Sequence, residues 1–172
     1  MVFRTYVNGE HDIAFKVDAT FEGGSAHAWD AGYIIEDVRG KATIERNLFT
    51  LHELTGKHGD AAVALHGAVQ WRDDAPAVDL HIAGKNVAID PRLLALCQAI
   101  DSGAESLKKL RDKYDAQGAF DVDVDYTLKP DGSNARQITV KPRTLSLNVD
   151  DTPVPVPDMA GSIRLVGPGV VL

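Results

Sequence analysis

Tyr33–Leu51, YIIEDVRGKATIERNLFTL, and Val154–Leu172, VPVPDMAGSIRLVGPGVVL, carry one pattern twice, 121 positions apart. Three positions are identical: Asp37 and Asp158, Gly40 and Gly161, Leu51 and Leu172. Tyr33 and Val154, Ile35 and Val156, Val38 and Met159, Ala42 and Ile163, Ile44 and Leu165, and Phe49 and Val170 keep apolar character in register. Three identities are a weak signal. The order of an apolar pair, an Asp-x-x-Gly turn and an alternating run is stronger, because it describes a supersecondary unit that can be stacked. FKVDATF (Phe15–Phe21) resembles FDVDVDY (Phe120–Tyr126) at a different offset, so strand, loop, Asp-x-x-Gly and strand are expected twice. The second copy reaches the last residue, Leu172, and a piece of a longer repeat protein is the expectation.

Outward from that stretch, apolar residues recur at every second position. Ile13 to Phe21, Ala42 and Ile44, Leu48 to Leu54, Ala61 to Trp71 and Val78 to Ile82 all read as one-sided strands. Turn chemistry at Gly23-Gly24-Ser25, Arg46-Asn47, Gly56 with Gly59-Asp60, and Asp73-Asp74-Ala75-Pro76 separates them into an antiparallel meander. Asp90-Pro91 then opens a helix, Asp as N-cap and Pro at the first helical position. Leu93, Leu96, Cys97, Ile100, Ala104, Leu107, Leu110 and Tyr114 form its apolar stripe. Asp101-Ser102-Gly103 interrupts the stripe, which predicts two short helices or one kinked helix, with Ser102 as a second cap, ending at Gln117-Gly118. Strands resume at Phe120 to Leu128, Gln137 to Val140 and Thr144 to Val149, and the proline-rich 152–157 segment is expected at a sheet edge.

Composition excludes several classes of function. A net charge of −7 with no Lys/Arg cluster argues against binding a phosphate backbone, so nucleic acid is not an expected partner. The single cysteine, Cys97, forms no internal disulfide and no Cys-based zinc site, and on the helix stripe it reads as core. No apolar run reaches the ~18 residues of a membrane helix, and MVFRTYVNGEHDI has no signal-peptide pattern, so any anchor is expected outside this chain.

No catalytic residue, metal site or cofactor is expected. His52-Glu53 with His58 has HExxxxH spacing, whereas the zinc helix motif places its histidines at i and i+4. His66 and His81 fall on the polar faces of their strands, and Asp121, Asp123 and Asp125 on one solvated strand face rather than in a calcium loop. Gly23-Gly24-Ser25 lacks the helix and basic residue of a phosphate cradle.

The motif YIIEDVRGKATIERNLFTLHELTGKHGDAAVALHGAVQW with PAVDLHIAGKNVAIDPRLL resembles the AsmA-like and TamB-like family of bacterial envelope proteins over most of the chain. Asp37, Gly40, Leu51, Leu54, Gly56, Gly59, Leu65, Gly67 and Asp90 fit the order of that family's phrase. The resemblance implies a long, repetitive β-sheet curled into a groove, apolar inside and polar outside, that carries phospholipid across the periplasm without an enzymatic step. Expected partners are phospholipid acyl chains, neighbouring repeats of the parent chain, and a membrane reached through segments not present here. Val63, Leu65, Val69, Val78, Leu80, Ile82, Val122 and Val124 are the expected groove-lining residues. The departures from the family are that this chain lacks an anchor and terminal repeats, and that the helix from Pro91 to Tyr114 is an element able to plug a groove.

The expected fold is thus mainly β with one helical insertion (α+β): a curved, repetitive antiparallel sheet forming a groove or half-closed sandwich, the helix packed on its apolar side. Residues 1–89 are read as a first β-repeat unit, 90–117 as the helical segment and 118–172 as a truncated second unit. The alternative is a self-contained β-sandwich binding or adhesion module, whose apolar faces close on each other.

Overall fold

The computed structural model describes residues 2–8, 12–28, 32–72, 75–100, 112–113, 115–149, 152–155, 161–166 and 169–171. In chain order the strands are β1 (Val2–Asn8), β2 (Asp12–Glu22), β3 (Ser25–Ala28), β4 (Tyr33–Glu45), β5 (Leu48–His58), β6 (Ala61–Arg72) and β7 (Ala75–Ala88). Helix α1 (Pro91–Ile100) follows, then β8 (Gln117–Leu128), β9 (Asn134–Val149), β10 (Thr152–Pro155), β11 (Ile163–Val166) and β12 (Gly169–Val171). All strands join one antiparallel sheet, ordered β1-β2-β4-β5-β6-β7-β8-β9-β11-β12, with β3 beside β4 and β10 beside β9. The first and last strands on this path do not pair among the described residues, so the sheet is open.

The antiparallel meander expected from period-two alternation is present, with two corrections. Gly23-Gly24 does not reverse the chain: β2 and β3 lie end to end along one flank of β4, joined by Gly23 N–H to Val38 O (3.0 Å) and Val38 N–H to Gly24 O (3.1 Å). Gly56 lies inside β5, and the reversal falls at Gly59-Asp60, where Gly59 takes φ +57. The Asp73-Asp74 part of the next expected turn lies outside the described residues, and Ala75-Pro76 already belongs to β7.

Pairing registers give the repeat its physical content. Phe3 faces Val17 as Val124 faces Ile138; Ala19 faces Ala42 as Val140 faces Ile163; Ile44 faces Phe49 as Leu165 faces Val170. Every residue of the second set lies 121 positions after its counterpart in the first. Gly40 and Gly161 also share an unusual backbone, φ +141 and +145. The series β1-β2-β4-β5 therefore recurs as β8-β9-β11-β12. FKVDATF on β2 is matched by Arg136–Pro142 on β9, not by FDVDVDY, which lies on β8, the counterpart of β1. Strands of equal period resemble one another whichever neighbour they take, which is why the sequence pointed one strand away. The copies diverge at β10: Tyr33 faces Ala28, but Val154 faces Leu147 rather than Val149, a slip of two residues. Asp158, Met159 and Leu172 lie outside the described residues.

Helix α1 begins as its sequence dictates. Asp90 Oδ1 accepts the Leu93 N–H at 2.7 Å and the Asp90 carbonyl accepts that of Leu94 at 3.2 Å, with Pro91 at the first position. Residues 101–111 and Tyr114, with the interruption and second cap expected at Asp101-Ser102-Gly103, lie outside the described residues; Asp112 and Lys113 are helical. Strand β8 starts at Gln117, where the helical region was expected to end, because Gly118 at φ +140 pairs with Leu145 as part of the sheet.

The core is thin. Buried apolar residues among those described are Tyr33, Ala42, Ala61, Val87, Leu94 and Ala116, with Thr43 the buried polar one. The 18.5 kDa chain exposes 11789 Å², against about 8,200 Å² for a compact monomer of that mass.

Gly40 and Gly161 share a backbone but not an environment. A Cβ at Gly40 would stand 1.8 Å from the Glu53 carbonyl oxygen, whereas one at Gly161 would meet nothing within 4 Å. Urea denaturation should therefore show Gly40→Ala destabilising by about 3 kcal/mol or more, from strain and overlap together, and Gly161→Ala by about 1 kcal/mol from backbone strain alone.

Candidate functional site

Residues directly opposed in an antiparallel ladder share a face, so their pairings trace rows across the sheet. One row runs Phe21, Gly40, Leu54, Leu65, Ile82, Val124, Ile138, Leu165, through eight successive strands. At a strand spacing of ~4.8 Å this row is about 34 Å long. A second row is Val17, Ile44, Phe49, Val69, Val78, Leu128, and a third is Ala19, Ala42, Leu51, Gly67, Leu80, Tyr126. A fourth, Val63, Gly84, Val122, Val140, Ile163, completes the face.

All eight residues expected from the sequence, Val63, Leu65, Val69, Val78, Leu80, Ile82, Val122 and Val124, fall on these rows. Each is half-exposed rather than buried. Phe21 at 40 %, Ile44 at 39 % and Trp71 at 45 % exposure belong to the same face, so it stays accessible toward the β2 side and the β6 end. The sequence pattern did not mark the glycines in the rows as part of the site. Gly67 has φ +146, and a Cβ there would lie 2.1 Å from the Asp79 carbonyl oxygen, so the middle of the third row carries no side chain.

The opposite face is polar and internally paired. His66 faces His81 with ring centroids 4.7 Å apart, and His81 Nδ1 donates to Asp125 Oδ1 at 2.7 Å. Thr43 donates its hydroxyl to Asp18 Oδ1 at 2.9 Å, so His52 Nε2, 2.8 Å away, is the donor to Thr43 Oγ1. Arg143 grips Asp121 through Nε at 2.5 Å and Nη2 at 2.8 Å, and Asp121 Oδ1 also accepts the Asn86 N–H at 2.9 Å. These bonds hold the Asp121 carboxyl below its ordinary range, the Arg143 side chain first and the backbone N–H second. Of the three β8 aspartates, Asp121 and Asp125 have protein partners of their own, and Asp123 faces Ala83 and Thr139 across the ladder. No group of three or more metal-type ligands converges among the described residues.

At one end of the sheet α1 contacts β4, and its cap residue Asp90 lies near His58 of β5. The Tyr33 and His58 rings stack at 3.8 Å, His58 Nδ1 donates to the Ile34 carbonyl at 2.7 Å, and His58 Nε2 lies 3.8 Å from Asp90 Oδ2. Burial, then the nearby Asp90 and Cys97, push the Tyr33 hydroxyl upward, and burial does the same to the Cys97 thiol. Cys97 itself is half-buried and not part of the buried core expected for it. The Tyr33–His58 contact carried no sequence signal, because it joins residues on different strands. His52 and His58, adjacent in the HExxxxH spacing, engage quite different partners.

Comparison with protein-family models, with curated proteins and with solved structures finds no match to this chain. No helix among the described residues is long and apolar enough to cross a membrane.

Two outcomes follow from the two-faced arrangement. Binding of an apolar fluorescent dye should fall in Ile82→Asp, the fifth residue of the long row, and remain near wild type in Ala83→Asp, one position on and facing the other way. In Arg143→Met, carboxyl chemical shifts should show Asp121 titrating higher than in the wild type. A carboxyl held low contributes stability above its unfolded value and loses it as pH falls through the folded one, so the variant's stability difference should disappear in acid.

Proposed function

We propose that this chain is a segment of an AsmA/TamB-like envelope protein and that its apolar sheet face carries phospholipid acyl chains, in lipid transport or outer-membrane biogenesis, without a catalytic step. The observation that carries the reading is the uninterrupted apolar row from Leu54 to Ile138, half-exposed at Leu65, Ile82 and Val124 and backed by a face of paired charges. A hydrocarbon chain laid on it gains ~0.8 kcal/mol per methylene removed from water, so about ten methylenes outweigh the few kcal/mol of ordering a ligand. Curling of the sheet would turn the face into a groove, and α1, beside Tyr33 and His58, would close one end of it. Under this reading the chain works in the periplasm of a bacterial envelope, joined to neighbouring repeats and tethered through segments outside it.

A self-contained sandwich makes the opposite demand, that a second layer cover these rows; among the described residues all strands belong to one sheet. Photo-crosslinking separates the readings. With p-benzoylphenylalanine at Ile82 or Val124, protein purified from bacterial envelopes should carry covalently attached phospholipid by mass spectrometry, and with the label at Ala83 or Asp123 it should not. The double variant Leu65→Asp/Ile82→Asp should retain roughly tenfold less lipid, as expected for a loss of about 1.4 kcal/mol or more. Equal labelling from both faces, or none from either, would sink the proposal.

A further inference from the structure

β1 and β8 hold the same place in two copies of one unit. Thr5 faces Phe15 as Tyr126 faces Arg136, 121 residues later, and Phe3 faces Val17 as Val124 faces Ile138. β8 is paired on both flanks: its other side takes β7, with Leu80 opposite Tyr126, His81 opposite Asp125 and Ile82 opposite Val124. β1 has β2 on one side and, among the described residues, no strand on the other. A seven-residue strand with an open flank presents a row of backbone N–H and C=O groups that water or an added strand must satisfy.

We infer that the outer edge of β1 is a docking edge for a strand of the β7 pattern, supplied by a neighbouring unit of the same repeat, with its position 80 opposite Thr5 and its position 82 opposite Phe3. The occupant is specified by the copy in which the place is filled. Wherever register can be compared between β1-β2 and β8-β9 it is the same, so the strand that fits the far side of β8 has the pleat that fits the far side of β1. Alternation then fixes the register. Val78, Leu80 and Ile82 of such a strand join the face that carries the apolar rows, whereas a slip of one residue would put Asp79 and His81 there. Recognition is by strand addition, the main chain supplying affinity and the alternate side chains supplying register. This inference rests on the registers and not on lipid carriage, so failure of the crosslinking experiment above leaves it standing.

The test uses the full chain in a Cys97→Ser background, carrying Thr5→Cys or Arg4→Cys, and a synthetic peptide spanning Ala75–Ala88 with Leu80→Cys or His81→Cys. In a thiol-disulfide buffer, the matched pairs (5 with 80, 4 with 81) should form mixed disulfide in roughly tenfold excess over the slipped pairs (5 with 81, 4 with 80), the preference given by a register penalty of about 1.4 kcal/mol. Hydrogen exchange of the unsubstituted chain with the unsubstituted peptide provides a second measurement, independent of the cysteines. Amides of Val2–Asn8 should exchange more slowly at saturating peptide, and a scrambled peptide should leave them unchanged. Equal yields of matched and slipped disulfides, or unaltered exchange of Val2–Asn8, overturns the inference.

Discussion

Antiparallel backbone pairing is the interaction on which the rest of this molecule depends. A conventional domain offsets chain entropy with a deep core, but only six apolar side chains, with that of Thr43, are buried among the described positions. The sheet instead relies on long ladders, up to sixteen residues in β9, and on cross-strand side-chain pairs worth ~0.2–1 kcal/mol each. Leu54 beside Leu65, Ile82 beside Val124 and Val122 beside Val140 are such pairs. Individually weak, they are effective because each interior strand makes them on both sides.

Keeping the apolar residues in line over so many strands requires correction of parity, and bulges supply it. Leu51 and Leu54 are an odd number of residues apart yet face Gly67 and Leu65, which share a face; His52 is the extra residue between them, Glu53 still facing Lys41 on β4. On β7 the register shifts between Gly84 and Val87, with Asn86 at φ +56 and its N–H bound to Asp121, so Val87 faces Phe120 and is buried. On β4 Asp37 at φ +51 and Gly40 at φ +141 do the same work around the shift between Glu36 and Arg39. Asp and Asn are the side chains that best tolerate the left-handed region, which explains why the repeated phrase is built on Asp and Gly.

Much of this was legible in the sequence and some was not, for one physical reason. Period two states which residues of a strand lie together, and it placed Val63 through Val124 on a common face and His66 and His81 on the other. Asp90-Pro91 marked the helix start because a cap is a local device. Partner choice is not local. Nothing in FKVDATF says that its counterpart is Arg136–Pro142, and nothing in Gly23-Gly24 says that β3 will continue along β4 rather than turn back. Such outcomes are set by where bulges and turns place the next strand, and alternation alone does not encode them.

Charge distribution decides which face is left for an apolar partner. On the polar side Asp121 is held by Arg143 and the Asn86 N–H, Asp125 by His81, Asp18 by Thr43, and Gln137 by Arg164, so a covering layer there would have to displace solvent from charged groups that are already satisfied. On the other side the same cross-strand positions hold Leu65, Ile82, Val124 and Ile138, which lose nothing by being covered. Sideways growth preserves that asymmetry. Because β8, β9, β11 and β12 pair in the register of β1, β2, β4 and β5, they extend the apolar rows and the charged face together, and a mismatch of one residue would exchange them. The register shared by these strands and the continuity of the apolar face across them are therefore one property.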